Sequence, residues 1–444
     1  MSNNYSGNSQ KFSSLVRATT LIERDEFKST IVSFLLVFIL MAAYYMLRPV
    51  RDAMASDWSN TEISVLWNIQ FILSLAFVAL YGIAVSKCRF TYLVPAIYGF
   101  FAVSFVSFHF ISGVVSDQII LDKAFYLWVS LFSLFHVSVF WSLMADLFSQ
   151  EQSKRLFGFI AVGASAGAIA GPIAATVVAQ LIGSSGLMLG ASLMMIVPLP
   201  MIFYLQTLKV QTSQKDTDSS KWSIGGNPLA GFKEFFSSPY LIGIAAFILL
   251  YTAISSFAYF EQTNLLREYD RDQRTQILAV LALVVNILTF VLGFFATSRL
   301  TVRFGLSVTL ASMPVFMCIA LLVLAFAPLL TVMLALQVAR QAGNYGITRP
   351  AREMLFTAVS RESRFKAKPV VDVAIYRGGD ALWSSAFALL TDGLGLGMTM
   401  MAVIGAGIAA IWGVTGAWLG AAFRKQPQME AADTPSVYAS GIVR

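Results

Sequence analysis

The sequence is poor in charge. Asp, Glu, Lys and Arg together make up 12% of its 444 residues, whereas soluble domains contain roughly 25%. Apolar residues make up 57% of the chain, and the mean hydropathy is +0.71. This composition excludes an ordinary soluble domain and predicts a polytopic membrane protein.

Cysteine and catalytic motifs are also scarce. The two cysteines, Cys88 and Cys318, fall in a short loop and in an apolar segment, so neither a disulfide framework nor a CxxC metal site is available. The chain contains no GxxxxGK[ST] and no HExxH, and the glycines of 393–397 follow no strand that would make them a dinucleotide fingerprint. We therefore expect no enzyme activity, no catalytic residues, no metal and no cofactor.

The first 28 residues are polar and carry four cations. They lack the short apolar core and small-residue cleavage site of a signal peptide, so we expect the first span to remain as an uncleaved helix. The net charge of +7 fits positive cytoplasmic loops better than nucleic-acid binding, and no nucleic-acid partner is expected.

Long apolar windows predict about twelve transmembrane helices, that is, an all-α membrane protein. The predicted spans are 30–48, 62–84, 91–112, 122–145, 156–182, 185–205, 240–260, 275–297, 306–327, 329–348, 370–391 and 396–422. Placing both termini in the cytoplasm puts most loop cations on that side. The exception is the loop after span seven, where Arg267, Arg271 and Arg274 are balanced by acidic neighbours. The expected location is a bacterial inner membrane, with the bilayer as the surroundings.

The longest polar interval divides the spans six and six. We predict a cytoplasmic N-terminal segment (1–28), an N-terminal six-helix bundle (29–205), a cytoplasmic linker (206–238), a C-terminal six-helix bundle (239–423) and a cytoplasmic tail (424–444). Two six-helix bundles around a midplane site are the plan of the major facilitator type. The segment 298–305, between spans eight and nine, looks like the basic, glycine-ended turn of that superfamily.

Two patterns inside the spans favour packing over function. Gly163, Gly167 and Gly171 recur every four residues in span five, which predicts close helix packing, with a hinge as the alternative. His109 and His136 each stand alone in an apolar span. Such histidines are more often hydrogen-bonded packing residues than proton relays.

The first span ends in a charged cluster. Residues 30–47 carry no charge, but Arg48, Arg51 and Asp52 follow at once. Their spacing places them on neighbouring positions of one helix face if the helix continues. A cation near lipid usually faces a partner or a watery cavity, although an arginine closing a helix also serves as a headgroup anchor. Both interpretations stay open from position alone.

Other ionisable residues lie in or beside later spans. These are Asp146, Glu261, Arg340, Arg349, Arg352, Glu353, Arg377 and Asp380. Arginines outnumber carboxylates, as a site for an anionic substrate requires, because guanidinium groups bind phosphate or carboxylate bidentately. The run 349–353 (RPARE) also repeats the pattern of 48–52 (RPVRD), which suits either paired gates or similarly anchored helix ends.

Three stretches carry a resemblance to a known family. They are 44–52 (YYMLRPVRD), the region from Phe140 and Trp141 to 154–157 (KRLF), and the region from 343–345 (GNY) through Arg349 and Glu353 to Lys366, Lys368, Asp372 and Arg377. At these residues the sequence resembles the nucleotide transporter family, the ATP/ADP translocases of plastids and intracellular bacteria, and more closely its bacterial branch of NTP/NDP exchange transporters. The resemblance covers most of the membrane region and implies alternating-access exchange of nucleotides.

The resemblance also implies roles for particular residues. Arg51 stands where the family keeps a substrate-critical lysine, and Asp146 and Glu261 align with two family glutamates. A second family lysine falls at or next to Asp380, so a cation has become an anion. This replacement of a cation by an anion removes one phosphate contact expected for strict ATP/ADP exchange.

These observations lead to one main expectation and two alternatives. The chain is expected to be an antiporter of a phosphorylated anion, most simply a nucleotide, without hydrolysis. Arg48 and Arg51 would hold phosphate oxygens, while Glu261 and Asp380 would pair with arginines in the empty site. The alternatives are a proton-coupled permease for another metabolite, with Asp380 or Glu261 as proton carrier, and a non-transporting membrane partner. The full set of candidate substrate-binding residues is Arg48, Arg51, Asp146, Glu261, Arg349, Arg352, Arg377 and Asp380.

Overall fold

The computed structural model describes residues 23, 25–88, 90–112, 114–115, 117–212, 238–295, 297–358 and 375–425. Most of the predicted N-terminal segment, most of the linker and nearly all of the tail lie outside the described residues. So do Lys366, Lys368 and Asp372 from the resemblance.

The described chain consists of helices joined by short turns. In chain order the helices are α1 (Phe27–Ala55), α2 (Asn60–Lys87), α3 (Phe90–Ser112), α4 (Gln118–Leu147), α5 (Gln150–Met194), α6 (Pro198–Thr212), α7 (Pro239–Leu266), α8 (Arg271–Phe295), α9 (Thr297–Phe326), α10 (Leu330–Gly343), α11 (Arg349–Leu355), α12 (Tyr376–Ala388) and α13 (Met398–Lys425). Two π-helical segments, Asn344–Thr348 and Leu389–Gly393, continue α10 and α12. An all-α membrane fold, as the sequence predicts, is confirmed.

Among the described residues, ten helices are long and apolar enough to cross a bilayer. They correspond to predicted spans one to nine and twelve. Predicted spans ten and eleven are built differently, because their α-helical parts, α10 and α12, have only 14 and 13 residues and pass into π-helical segments. Buried polar residues, Gln337 and Arg340 in α10 and Ser384 in α12, also make these helices less apolar.

The chain forms two compact units. The first comprises 1–222 and 263–287, and the second comprises 223–262 and 288–444. The end of α7, the turn after it and most of α8 thus cluster with the first six helices.

Inside the first unit, α1 and α5 pack closely through small residues. A Cβ atom added at Gly163 or Gly171 would lie 2.6 Å from the backbone oxygen of Phe34 or Ala42, and one at Gly167 would overlap the oxygen of Phe38. No side chain fits such a space, so the close packing predicted for this glycine series is confirmed. The contact fixes α1, the helix that carries Arg48 and Arg51.

Two glycines with positive φ mark bends that separate predicted spans. Gly183 (φ 69°) bends α5 between predicted spans five and six. Gly305 (φ 78°) bends α9 at the end of the basic turn recognised in the sequence. Glycine has no Cβ, so this conformation costs it little.

Candidate functional site

The charged cluster at the end of α1 lies inside the helix and not beyond it. The helix runs through Pro49 to Ala55, so Arg48, Arg51 and Asp52 face one another within two turns. Arg51 donates from Nε and Nη2 to Oδ1 of Asp52 at 2.9 and 2.6 Å. The Nε atom of Arg48 lies 3.6 Å from Oδ2 of the same carboxylate. One carboxylate thus lies between two guanidinium groups.

Helix α4 supplies two further partners of Arg51. Nη1 of Arg51 donates to Oγ of Ser130 at 3.1 Å, and its guanidinium carbon lies 5.3 Å from the ring centroid of Tyr126. Trp67 holds the Tyr126 hydroxyl through a 2.7 Å hydrogen bond. The Arg51 side chain is 13% exposed, so it is nearly buried and held on three sides. This geometry suits an anion site more than a flexible headgroup anchor.

Aromatic rings extend the cluster by one turn along α1. Tyr44 stacks at 4.5 Å on the ring of His136, and the Arg48 guanidinium lies 5.9 Å from the Tyr45 ring. Nδ1 of His136 lies 3.3 and 3.1 Å from the carbonyl oxygens of Phe132 and Ser133. His136 is therefore a hydrogen-bonded packing residue, as its sequence context favoured.

A second charged cluster of the first unit lies at the turn between α7 and α8. Nη2 of Arg271 donates to Asp57 and to Asp122, both at 2.7 Å, and Arg274 donates to Asp57. Burial opposes ionisation of Asp57, but hydrogen bonds from the two arginines and their charges outweigh it and hold the pKa of Asp57 below its usual value. This cluster, Asp57, Asp122, Arg271 and Arg274, is called the outer ion-pair cluster below.

One face of α4 connects the outer ion-pair cluster to Arg51. Asp122, Tyr126 and Ser130 are four residues apart and therefore share a face. Asp122 pairs with Arg271, while Tyr126 and Ser130 contact Arg51. A cavity of about 830 Å³ lies on the same side of the unit. Its lining includes Val50, next to Arg51 in the chain, together with Asp122 and Arg271.

In the second unit the most buried cation is Arg340, at 6% exposure. Its Nε donates to Oε1 of Gln337 at 2.7 Å. Its Nη1 donates to Oγ of Ser255 at 2.9 Å and to the Tyr251 hydroxyl at 3.4 Å. All three acceptors are neutral. Within the described part of the chain, no carboxylate lies within 4 Å of this guanidinium group.

Asp380 lies near this group without pairing with it. The charges of Arg377 and then Arg340 act on its carboxylate, but neither forms an ion pair with it among the described residues. Tyr376, one turn earlier on α12, packs its ring 6.0 Å from that of Tyr251. The expected pairing of Asp380 with an arginine is thus present only as a longer-range interaction.

Glu261 is buried near the end of α7, at 4% exposure. Its Oε1 has no hydrogen-bond partner, and no described cation lies within 4 Å of its carboxylate. The expected pairing of Glu261 with an arginine is therefore wrong for the described residues. An unpaired carboxylate in an apolar setting is costly as an anion, which favours its neutral form.

The remaining predicted site residues occupy different settings. Arg349 is exposed. Arg352 is 7% exposed, and although its Nη2 donates to Glu353 at 3.1 Å, its Nε has no partner among the described residues. Asp146 is exposed, one residue before the end of α4. Of the predicted site residues, Arg48 and Arg51 are brought together on one carboxylate, that of Asp52.

Several residues of these clusters were not singled out from the sequence. Tyr126 and Ser130 look like ordinary span residues until α4 is placed against α1. Arg340 appeared only among the ionisable residues of the spans. The outer ion-pair cluster could be noticed in the sequence, because its two arginines lie in the loop after span seven, which is the exception to the distribution of cations among the loops. None of the described side chains forms a group of three or more His, Cys, Asp or Glu residues able to hold a metal ion.

Comparison with known proteins identifies the class. Residues 33–362 match the family model described as Major Facilitator Superfamily. This match covers well over half of the chain, so the chain belongs to the Major Facilitator Superfamily. It is therefore a transporter of the secondary type. No curated protein matches the sequence.

Solved structures of the same fold include several transporters. The nucleoside transporter NupG has a TM-score of 0.63 at 14% identity, covering 89% of this chain and 99% of that one. A bacterial homologue of the iron transporter ferroportin has a TM-score of 0.62 at 14% identity, with 90% and 100% covered. A bacterial homologue of the human lysosomal transporter Spinster has 0.59 at 14% identity, with 91% and 99% covered. These likenesses show the fold alone.

Proposed function

We propose that the protein is an alternating-access antiporter that exchanges phosphorylated anions, with nucleotides as the cargo class, and does so without hydrolysis. The observation that carries this proposal is the position of Arg51. Its guanidinium group is nearly buried in α1, held by Ser130 and Tyr126, and neutralised by a carboxylate from its own helix.

Asp52 gives this site a way to remain stable when empty. A buried guanidinium without a counter-ion is costly, and Asp52 supplies one for both Arg51 and Arg48. A phosphate group that enters can take over the guanidinium donors, because planar N–H groups match phosphate oxygens in pairs. Exchange without hydrolysis then needs only that one anion replaces another.

Two further points support a nucleotide-related cargo. The resemblance at 44–52 places Arg51 where nucleotide exchangers keep a lysine, so the positive charge is retained. Tyr44 and Tyr45 lie within one turn of Arg48 on α1, and the His136 ring contacts that of Tyr44. Aromatic rings are suited to stack on a base. One protein of the same fold is named as a nucleoside transporter, which is compatible with this cargo.

A second candidate function is a proton-coupled permease for another metabolite. The observation that favours it is Glu261, which is buried with an unpartnered Oε1. In this alternative Glu261 or Asp380 carries the proton, and Arg51 serves a different anionic substrate.

We also propose that both termini and the linker 206–238 lie in the cytoplasm of a bacterial cell, with the protein in the inner membrane. The distribution of loop cations supports this orientation. The test is protease protection in oriented vesicles and intact cells. Cleavage of the linker from outside intact cells would contradict the topology.

The function is tested by transport in liposomes containing the purified protein. Labelled nucleotides and other anions are offered outside, with or without unlabelled substrate inside, and with or without a pH gradient. Exchange predicts uptake that depends on internal substrate. Uptake driven by the pH gradient and indifferent to internal substrate would favour the permease.

A further inference from the structure

Arg340 differs from the other well-buried arginines of the described chain in what surrounds it. Arg274, at 6% exposure, pairs with Asp57, and Arg352, at 7%, contacts Glu353. Arg340 has the same degree of burial, but its partners among the described residues are an amide oxygen and two hydroxyl groups. It is a buried cation without a carboxylate at ion-pair distance in the described structure.

The surroundings of Arg340 fix its orientation. Gln337 precedes it by one turn on α10, while Tyr251 and Ser255 are one turn apart on α7. The Gln337 amide is itself held, because its Nε2 donates to the Ala258 carbonyl at 3.4 Å. These contacts engage Nε and Nη1. The third guanidinium nitrogen, Nη2, donates to no described residue, although it carries two N–H groups.

We propose that Arg340 is an anion-binding point in the second unit that takes a phosphate or carboxylate group through its Nη2 edge. The inference rests on the proposed function in one respect, that transport involves an anion. A preorganised guanidinium with free donors binds such groups with charge-assisted hydrogen bonds. Neutral partners leave its charge available, whereas a carboxylate partner would compete with the ligand.

The most specific test introduces a carboxylate beside Arg340. Gln337→Glu changes an amide to a carboxylate of nearly the same shape, 2.7 Å from Nε of Arg340. It neutralises the guanidinium without removing it. The variant also loses the 3.4 Å hydrogen bond from Nε2 of Gln337 to the Ala258 carbonyl, so we expect its unfolding temperature to fall slightly, while anions bind about tenfold or more weakly. Arg340→Gln is expected to lose binding to a similar extent, and Arg340→Lys to retain part of it as a point charge.

Binding is measured by ligand-dependent thermal stabilisation, with pyrophosphate, ATP and succinate as separate probes. Arg51→Gln is measured beside the Arg340 variants. Arg424→Gln, at an exposed position in the last turn of α13, is the control and should bind as the wild type does. If Arg340→Gln does not fold, Gln337→Glu and Arg340→Lys decide the result.

The probes separate this inference from the proposed function. Loss of pyrophosphate and ATP binding in the Gln337 and Arg340 variants supports both. Binding of succinate alone, lost in the same variants, supports the Arg340 site while contradicting a phosphorylated cargo. Unchanged binding of every probe in Gln337→Glu and Arg340→Lys overturns the Arg340 site and leaves the function standing. Failure of the wild type to bind any of the three anions overturns both.

Discussion

Arg51 in the first unit and Arg340 in the second are both held by neighbouring helices, but only one has a counter-ion. Arg51 forms two hydrogen bonds to Asp52, at 2.9 and 2.6 Å. Within the described residues, Arg340 contacts an amide oxygen and two hydroxyls. A ligand that reaches Arg51 must therefore compete with Asp52, whereas a ligand at Arg340 meets a charge that no described carboxylate has neutralised.

This difference assigns distinct tasks to the two groups. Competition with Asp52 lowers affinity but gives Arg51 an alternative partner when the ligand leaves, which suits a site that must release its cargo. When no ligand is bound, Arg340 remains a buried charge that no described carboxylate pairs with, and burial of an unpaired charge is unfavourable. We therefore expect Arg51 to control turnover and Arg340 to control affinity.

The most damaging change should be Arg51→Gln. It removes the charge that holds a phosphate and deprives Asp52 of its two hydrogen bonds from Arg51, at 2.9 and 2.6 Å. Loss of one partner from a nearly buried pair costs on the order of 3 kcal/mol, so both transport and thermal stability should fall. Uptake into liposomes should drop by about 100-fold, which corresponds to about 2.8 kcal/mol.

Arg51→Lys is the matched variant, because it keeps the charge and matches the residue that the nucleotide exchangers have there. Its uptake should lie between those of the wild type and Arg51→Gln. Equal and full activity of both variants would show that Arg51 is an anchor and not a substrate residue.

Asp52→Asn would remove the carboxylate that distinguishes the surroundings of Arg51 from those of Arg340. Without the competing carboxylate, anion affinity should rise by about three- to tenfold, or about 0.6 to 1.4 kcal/mol. Exchange should become slower because release is harder. Binding by thermal stabilisation and exchange rates in liposomes measure the two effects separately. A fall in affinity would instead show that Asp52 holds Arg51 in its binding geometry.

Substitutions at Asp380 change the electrostatic field at Arg340, and we expect smaller effects from them than from substitutions at Arg51 or Asp52. Asp380→Asn removes the carboxylate that interacts with Arg377 and Arg340, so preference should shift towards more negative anions by severalfold, with an energetic effect of about 1 kcal/mol. If Asp380 carries a proton, the same change should abolish gradient-driven uptake and spare exchange.

Asp380→Lys restores the cation that the resemblance places at or next to this position. Under the nucleotide proposal, it should improve ATP or ADP binding, provided that the new ammonium avoids Arg377. If neither substitution alters substrate choice, rate or pH dependence, Asp380 has a structural role only.

The outer ion-pair cluster is the third arginine setting, and it should give the smallest effect. Its pairs involve Asp57, at 36% side-chain exposure, so each contributes less than about 1 kcal/mol. The arginines lower the pKa of Asp57 from 3.8. The stabilisation is therefore complete above this value and is lost only as the pH falls through the lowered pKa.

Thermal unfolding of the wild type and of Asp57→Asn tests whether this stabilisation is lost as the pH falls. The difference between the two proteins should be constant from pH 7 to pH 5 and shrink below about pH 4. A difference that instead disappears between pH 7 and pH 5 would contradict the pairing seen at Asp57.

The fold was largely predictable because most spans are long and apolar. Predicted spans ten and eleven were harder, since α10 and α12 continue into π-helical segments and place Arg340 and Ser384 inside the protein. Hydropathy cannot distinguish a polar residue that faces a neighbouring helix from one that ends a span. The bend at Gly305 was easier to predict, because the sequence shows a basic turn that ends in this glycine, the residue that tolerates positive φ.

The candidate site was predictable only in part. The spacing of Arg48, Arg51 and Asp52 on one helix is a local property, and the sequence displays it. Ser130 lies 79 residues after Arg51, and no local pattern pairs them. The cations after span seven violated the charge rule, but the sequence did not identify Asp57 and Asp122 as the carboxylates that contact Arg271.

The central claim, exchange of a phosphorylated anion at Arg51, is tested most directly by counterflow. Liposomes containing wild-type or Arg51→Gln protein are loaded with unlabelled ADP, ATP or buffer, and labelled ADP is added outside without a pH gradient. The account predicts rapid labelled uptake only with internal nucleotide and only with wild-type protein. Uptake that ignores internal nucleotides, or trans-stimulation that survives in Arg51→Gln, would contradict it.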